Sequence, residues 1–152
     1  MRRADIRQLL AHEEYPSVSI LMPTHRTHPE TQQDPIRLKN LLAEARTRLT
    51  DEVGKRPAWP LLDRLDALAD EVDWQANQDG LALFASDQFG AAYALPFTVD
   101  ERVMVDGSFQ TRELVAALNR TPRYRVLVLA EQPTRLFEGA GDVLDEAQNG
   151  TF

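Results

Sequence analysis

Residues 34–53, DPIRLKNLLAEARTRLTDEV, constrain the fold more than any other segment. Leucine and alanine recur there at spacings of three and four residues, which is typical of a helix that buries one face. Asp34 as N-cap and Pro35 as first helical residue predict its start, and Gly54 predicts its end. A helix with a continuous apolar stripe needs another layer of structure to pack against. The stripe comprises Leu38, Leu41, Leu42, Ala45, Leu49 and Val53.

The rest of the chain supplies that layer. Four short segments have the composition of strands, the clearest being an apolar run closed by Pro23. Three further segments have the apolar spacing of helices. The strands are predicted at residues 18–22, 81–85, 91–95 and 102–105, and the further helices at residues 2–12, 60–76 and 111–119. This alternation predicts an α+β fold in which a mixed β-sheet is flanked by helices.

A second domain is predicted to begin near Thr121 and Pro122. Beyond them, residues 124–130 form a strongly apolar strand, and residues 134–139 would return as the second strand of a hairpin. A two-stranded hairpin is only marginally stable alone. We therefore expect one domain at residues 1–121, with residues 122–152 as the start of a second domain that this chain does not complete.

The charge balance narrows the classes of partner. With 24 acidic and 17 basic residues, the formal net charge is -7. This argues against nucleic-acid binding through global electrostatics, although a local basic face can exist on an acidic body. The sequence has no cysteine, no apolar run long enough to cross a membrane and no secretory start, so we expect a cytoplasmic protein.

Two histidines in the loop before the long helix are the first candidates for chemistry. His25 and His28 are three residues apart, and Glu30 is the nearest carboxylate. A metal site needs a third or fourth ligand, so a solvated or hydrogen-bonded loop is the simpler interpretation. Neither a dinucleotide fingerprint nor a P-loop occurs, and no serine has the setting of a nucleophile. We predict no catalytic residue, no metal and no cofactor.

The charged faces of the two main helices differ. The second helix carries an acidic row, which is interpreted as a solvated face. On the long helix, Arg37 and Arg48 fall on one flank of the apolar stripe, and Lys39 and Arg46 fall on the other. Two interpretations stay open for these cations, a mixed solvated surface and a set of phosphate contacts on a rigid helix.

The order of several segments resembles a known family. VSILMPTHR, QQDPIRLKNLL, DGLALFAS, VMVDGSFQTREL and YRVLVLAEQPTRLFEG follow one another in the chain. Together they resemble the bacterial relatives of the archaeal and eukaryotic class-1 peptide release factors. The resemblance implies a release-factor-like N-terminal domain and a ribosome-associated role, as in translation or ribosome hibernation. In release factors that domain enters the decoding site of the small ribosomal subunit.

The motifs that carry the release factors' activities are missing. Where the family has Asn-Ile-Lys-Ser to read the stop codon, this chain has DPIRLK at residues 34–39. The family's Tyr-x-Cys-Asp-x-x-Phe element falls on residues 103–109, where Asp106 and Phe109 match but valines replace the tyrosine and the cysteine. The Gly-Gly-Gln that promotes peptidyl-tRNA hydrolysis does not occur.

The sequence therefore predicts a non-catalytic ribosome-binding domain that contacts ribosomal RNA in the decoding region. Further contacts from loops are predicted at His25, His28, Asp106 and Phe109. The alternative is an acidic protein-interaction domain that never meets RNA. An enzyme that uses His25, His28 and Glu30 is a distant third. The predicted RNA-binding residues are Arg26, Arg37, Lys39, Arg46 and Arg48.

Overall fold

The computed structural model describes residues 3–76, 78–120, 123–129, 135–140 and 143–147. The chain divides into two compact units, Met1–Leu114 and Val115–Phe152. Thr121 and Pro122, at the predicted domain boundary, lie outside the described residues, and that boundary stays a prediction. The elements are α1 (Arg3–Leu10), β1 (Glu13–Pro23), a 3-10 helix (Glu30–Gln33), α2 (Asp34–Val53), α3 (Lys55–Asp70), β2 (Gly80–Ala85), β3 (Gly90–Leu95), β4 (Arg102–Ser108), α4 (Arg112–Arg120), β5 (Arg123–Val128), β6 (Arg135–Ala140) and β7 (Val143–Glu146).

The first unit is built on a four-stranded sheet with the order β3-β2-β1-β4. Its three strand pairings are all antiparallel, whereas a mixed sheet was expected. The predicted α+β class, with helices flanking a sheet, is confirmed. In the central pairings Ile20 lies opposite Leu83 on one side and Val103 on the other. Partners across a ladder share a face, so these three side chains point the same way.

One face of the sheet packs against α2 and α3 and forms the main core. Every second residue of a strand points to the same face of the sheet, and these residues pack against the apolar stripes of the two helices. Leu49 of α2, Leu61 of α3 and Ile20 of β1 are all fully buried there. This packing fixes α2 rigidly on the sheet, so its outward face is held in a constant position.

The opposite face of the sheet carries an aromatic cluster. Phe84 is fully buried, and its ring lies 5.3 Å from Phe109 and 6.3 Å from Tyr93, measured between centroids. The imidazole of His12 stacks on Phe109 at 4.6 Å. Burial raises the pKa of the Tyr93 hydroxyl, and the nearby charge of Asp5 in α1 raises it further. The helix α1 therefore lies on this face, away from α2 and α3.

Two helix boundaries differ from the sequence prediction. The N-cap of α2 is Gln33, not Asp34, which is the first helical residue. The second helix starts at Lys55 and ends at Asp70, whereas residues 60–76 were predicted. Pro60 was taken as a helix start, yet it lies inside α3. The helix starts earlier because Gly54 takes a positive φ of 84° and lets α3 follow α2 directly.

The second unit contains the three-stranded antiparallel sheet β5-β6-β7. The predicted hairpin is confirmed, because β5 pairs with β6 and Val126 lies opposite Phe137. Its turn, residues 130–134, lies outside the described residues. The third strand, β7, was missed since it has only four residues, VLDE, too short to show a period. Within the part of the chain that the structure describes, we find no helix with the length and apolar character needed to cross a membrane.

Candidate functional site

The outward face of α2 carries an uncharged line of side chains, the α2 ridge, made of Ile36, Asn40, Ala43 and Thr47. All four are exposed, and Ile36 exposes 62% of its surface. Spacings of four, three and four residues place them on one line along the helix. An exposed isoleucine at the start of this line contrasts with the full burial of Leu49 and Ala45 on the other side of the same helix.

On one side of the ridge lie Arg37 and Arg48, directed toward β4. The Arg37 Nε is 3.3 Å from a carboxylate oxygen of Glu101, in the loop before β4. Arg48 Nη1 donates to the main-chain oxygen of Val103 at 2.8 Å, and its Nη2 is 2.6 Å from Glu44 Oε1. These contacts confirm that the two arginines occupy the same flank, as the helical spacing predicted.

On the other side lie Lys39 and Arg46. Arg46 Nη2 donates to Asp66 Oδ2 of α3 at 2.7 Å. Lys39 is exposed, and no carboxylate among the described residues forms an ion pair with it. The predicted second flank is therefore present, and it faces α3. Two rows of cations thus border the α2 ridge.

Carboxylates already pair with three of the four cations on α2. Exposed ion pairs of this kind contribute only about 0.2–1 kcal/mol each, because water and salt screen them. A phosphate group can therefore replace a carboxylate partner at small cost. The pairing still lowers the local positive potential, so this surface is a weaker attractor of anions than its number of cations suggests.

A surface cleft of about 500 Å³ lies at the N-terminal end of the ridge. It combines two amides, an apolar side chain and one ion pair. Its lining residues are Gln33, Ile36, Arg37, Asn40 and Glu101. Amides can both donate and accept hydrogen bonds, so the cleft can satisfy a planar polar group while Ile36 contacts its face.

Arg26 lies in the loop after β1. Its Nε and Nη2 donate to the two carboxylate oxygens of Asp79, each at 2.8 Å. This two-point contact with the guanidinium holds the pKa of Asp79 below its usual value. Among the predicted RNA-binding residues, Arg26 thus has the most complete carboxylate partner, and its contact joins the loop to the segment before β2.

His25 is held by the buried carboxylate of Asp34. Its main-chain N–H donates to Asp34 Oδ2 at 2.8 Å, and its ring Nδ1 lies 2.9 Å from Oδ1. Asp34 is completely buried, whereas the His25 side chain is 39% exposed. A carboxylate oxygen accepts in this contact, so ring Nδ1 donates and carries a proton. Asp34 therefore fixes the loop to the start of α2 instead of capping the helix.

The structure does not join the two histidines into one site. His28 is exposed, and its Nε2 lies 2.8 Å from the Gln32 side-chain amide nitrogen. Glu30 begins the 3-10 helix and is exposed too. Within the described ranges, no group of three or more histidines and carboxylates could hold a metal ion. His25 and His28 are thus separate loop residues with different partners.

Asp106 and Phe109, both predicted as loop contacts, have different environments. Asp106 is exposed in β4, and its carboxylate accepts the N–H of Gly107 at 2.7 Å. Phe109 is only 5% exposed and belongs to the aromatic cluster. The ring of Phe109 packs against His12, Phe84 and Phe89, and its role as a contact residue stays a prediction.

Sequence reasoning missed a polar cluster at His12. The imidazole Nε2 lies 2.9 Å from Ser86 Oγ, which donates to Glu14 Oε2 at 2.5 Å. Ser86 is completely buried and also accepts the N–H of Phe89 at 3.2 Å. Glu14 Oε2 lies 3.3 Å from His12 Nε2, the same ring nitrogen that contacts Ser86. The arrangement therefore differs from a catalytic triad, in which the carboxylate bonds to the other ring nitrogen. The cluster fixes the β2–β3 turn.

Comparisons with known proteins give little further information. No protein-family model matches the chain, and no curated protein matches it. The chain is similar to a solved structure described as "Archaeal protein", with 15% identity and a TM-score of 0.47. The alignment covers 97% of this chain and 44% of that one, so the chain spans less than half of that structure's length. A similarity of this degree supports no conclusion about fold or function.

Proposed function

We propose that the chain is a non-catalytic RNA-binding domain that contacts ribosomal RNA of the decoding region. It would belong to a release-factor-like translation or hibernation factor that acts in the cytoplasm. The observation that carries the proposal is the outward face of α2, where an uncharged ridge is bordered on both sides by cations. The resemblance of the ordered segments to relatives of class-1 release factors directs the proposal to the ribosome.

The dimensions of α2 suit a shallow RNA surface. A helix with its side chains is about 10–12 Å across, and Arg37 and Arg48 are separated by about 16 Å along the axis. A-form RNA has a major groove too narrow for a helix and a wide, shallow minor groove, and its loops expose single-stranded bases. The α2 ridge would face such a surface, with the flanking cations of α2 directed to phosphates.

The cleft at the start of α2 gives this surface a polar contact point. Gln33 and Asn40 offer amides for base edges or 2′-hydroxyls, and Ile36 offers an apolar contact. The codon-reading motif of release factors is absent at this position, so we propose binding that is independent of codon identity. His25, which Asp34 holds beside the same helix start, is an additional candidate contact.

Sedimentation with ribosomes tests the proposal. Reversing two cations, as in Arg37→Glu with Lys39→Glu, should weaken binding on the order of tenfold or more, because phosphate contacts dominate RNA affinity. Arg7→Glu with Arg112→Glu is the matched control, since both arginines are exposed and lie on α1 and α4. Equal sedimentation of both double variants and the unmodified protein would remove the proposed contact surface.

The second candidate is an acidic protein-interaction domain. One observation favours it: the pairing of Arg37, Arg46 and Arg48 with carboxylates leaves much of the α2 surface electrically balanced. A protein partner that binds this balanced surface would depend less steeply on salt than RNA does. RNA binding through phosphates must weaken steeply as salt rises, so a salt series in the same assay separates the two candidates.

A further inference from the structure

Trp59 in the first turns of α3 has no explanation in the packing of the fold. It exposes 68% of its surface, more than the exposed Ile36, Tyr15 and Leu10 of the same unit. Tryptophan is a large apolar side chain, and leaving it in water forgoes about 25 cal/mol for each Å² that burial would remove. An aromatic ring presented in this way is typical of a residue that contacts a partner.

Two cations accompany Trp59 on the helix surface. Lys55 and Arg56 precede it by four and three residues, the spacings that make side chains neighbours on a helix. Both are exposed, and no carboxylate among the described residues forms an ion pair with either. We call Lys55, Arg56 and Trp59 the α3 platform.

The carboxylate closest in sequence to the platform on its N-terminal side, Glu52, is engaged elsewhere. Its Oε2 accepts the hydroxyl hydrogen of Tyr15 at 2.8 Å, and this contact raises the pKa of Tyr15. On the C-terminal side of Trp59, the same helix face continues with Asp63, Asp66 and Asp70. An anionic chain bound here would therefore pass over the N-terminal end of α3 and avoid its acidic part.

The platform is fixed on the core. Ala58, next to Trp59, is completely buried, and its N–H donates to the Gly54 oxygen at 3.2 Å. Leu61 and Leu62 are also buried one turn later. The indole is thus attached to a part of the helix that cannot move away from α2, which lowers the entropy lost when a ligand binds.

We propose that the α3 platform binds single-stranded RNA, with an unpaired base stacked on Trp59 and adjacent phosphates paired with Lys55 and Arg56. The inference rests on the proposed function for the identity of the partner and adds a second contact, beyond α2. Base stacking on an aromatic ring tolerates any base, and nearby cations add electrostatic attraction. A protein partner is a poorer fit, because the neighbours of Trp59 on this face are charged. Such a partner would find a single aromatic ring here and no larger apolar surface.

Tryptophan fluorescence provides the test. In Trp74→Phe the only remaining tryptophan is Trp59, because the chain has two. Oligouridylate should quench its emission, whereas a polyphosphate of equal charge, which has no bases, should not. Quenching of equal size by both polymers would contradict stacking. No response to either would contradict RNA binding at this site and leave Trp59 to a protein partner.

Variants separate stacking from charge in oligouridylate binding, measured by anisotropy of a labelled strand. Trp59→Leu keeps an apolar side chain but has no ring, and it should bind on the order of tenfold more weakly, whereas Trp59→Phe should stay within about threefold. Lys55→Ala with Arg56→Ala should lower the slope of log affinity against log salt by about 1.4, from two lost phosphate contacts on a single strand. The matched Arg7→Ala with Arg112→Ala should change nothing. Wild-type affinity in Trp59→Leu would overturn the inference.

The two proposals fail in different ways. The α2 variant Arg37→Glu with Lys39→Glu, made in the Trp74→Phe background, should still show quenching by oligouridylate. If quenching persists but the α2 reversal leaves sedimentation with ribosomes unchanged, the α2 proposal fails and the platform proposal stands. If the α2 reversal abolishes sedimentation but Trp59→Leu changes no oligouridylate affinity, the platform fails and the α2 proposal stands.

Discussion

Asp34 holds the loop before α2 to the start of that helix, and its replacement by asparagine should destabilise the fold. Each carboxylate oxygen accepts a hydrogen bond from His25, one from the main chain at 2.8 Å and one from the ring at 2.9 Å. In Asp34→Asn the amide oxygen keeps the main-chain N–H of His25, and the amide nitrogen can donate to ring Nδ1 only when the ring proton moves to Nε2. Both contacts then remain, but each loses its charged acceptor, and the completely buried amide cannot replace it with water.

The cost can be worked from these contacts. A hydrogen bond to a charged group contributes about 1.5–3 kcal/mol, whereas one between neutral groups contributes about 0.5–1.5 kcal/mol. We therefore expect Asp34→Asn to lower the free energy of unfolding by about 1–2 kcal/mol. For a domain near this size, that is roughly 4–8 °C in melting temperature. Urea unfolding followed by circular dichroism, together with a thermal melt, measures both quantities.

His25→Ala is the control for this prediction. It removes the ring contact but keeps the main-chain N–H bond to Asp34, and loss of the half-exposed ring admits water to Oδ1. The expected cost is about 1 kcal/mol or less, as for other partly exposed pairs. The double variant should lose less than the sum of the two single losses, since both act on one contact. An Asp34→Asn protein as stable as the wild type, within about 0.5 kcal/mol, would refute the reasoning.

Two further predictions concern the turn between α2 and α3 and the Arg26–Asp79 pair. Gly54 has φ 84° and ψ 162°, a region that only glycine occupies readily. Gly54→Ala should therefore lower the free energy of unfolding by about 1–3 kcal/mol, although the new methyl group would contact only Pro57, at 3.9 Å. An unchanged midpoint in urea unfolding would contradict this. Since Arg26 lowers the pKa of Asp79, the pair stabilises the fold above the ordinary pKa of 3.8, and this contribution is lost as pH falls through the lower folded value. A carboxyl NMR titration should find the Asp79 midpoint below 3.8 in the wild type and shifted upward in Arg26→Ala, and equal midpoints in the two proteins would contradict the pairing.

Much of the first unit could be predicted because its periods are clear. The apolar run at residues 18–22 indicated a strand, and the structure places Val18, Ile20 and Met22 in the core. The spacing of leucines indicated α2 and both of its flanks. These patterns work because a helix or strand that packs on one face must repeat its apolar residues at a fixed spacing.

The contacts of the site could not be predicted, because they join elements that are distant in sequence. Arg46 meets Asp66 across two helices, and Arg37 meets Glu101 from the loop before β4. A helical projection shows the flank on which a cation lies, but it does not show which carboxylate forms an ion pair with that cation. Asp34 was misassigned for a related reason: aspartate before proline fits an N-cap, and only the folded loop shows that His25 uses its carboxylate.

Exposure was equally hard to predict for aromatic residues. Phe109 matched a family motif and was expected at the surface, yet it is 5% exposed. Trp59 follows a short proline-containing segment that gave no clear period, and it is 68% exposed. Burial of a single ring depends on its neighbours in the fold, and Phe109 packs against His12, Phe84 and Phe89, which lie far from it in sequence.

The salt dependence of ribosome binding tests the central proposal most directly. Sedimentation of the wild type across a salt series gives the slope of log affinity against log salt, which counts phosphate contacts. Removing two of them in Arg37→Ala with Lys39→Ala should lower that slope by about 2, while Arg7→Ala with Arg112→Ala should leave it unchanged. Identical slopes in all three proteins would show that α2 does not contact RNA phosphates and would contradict the proposal.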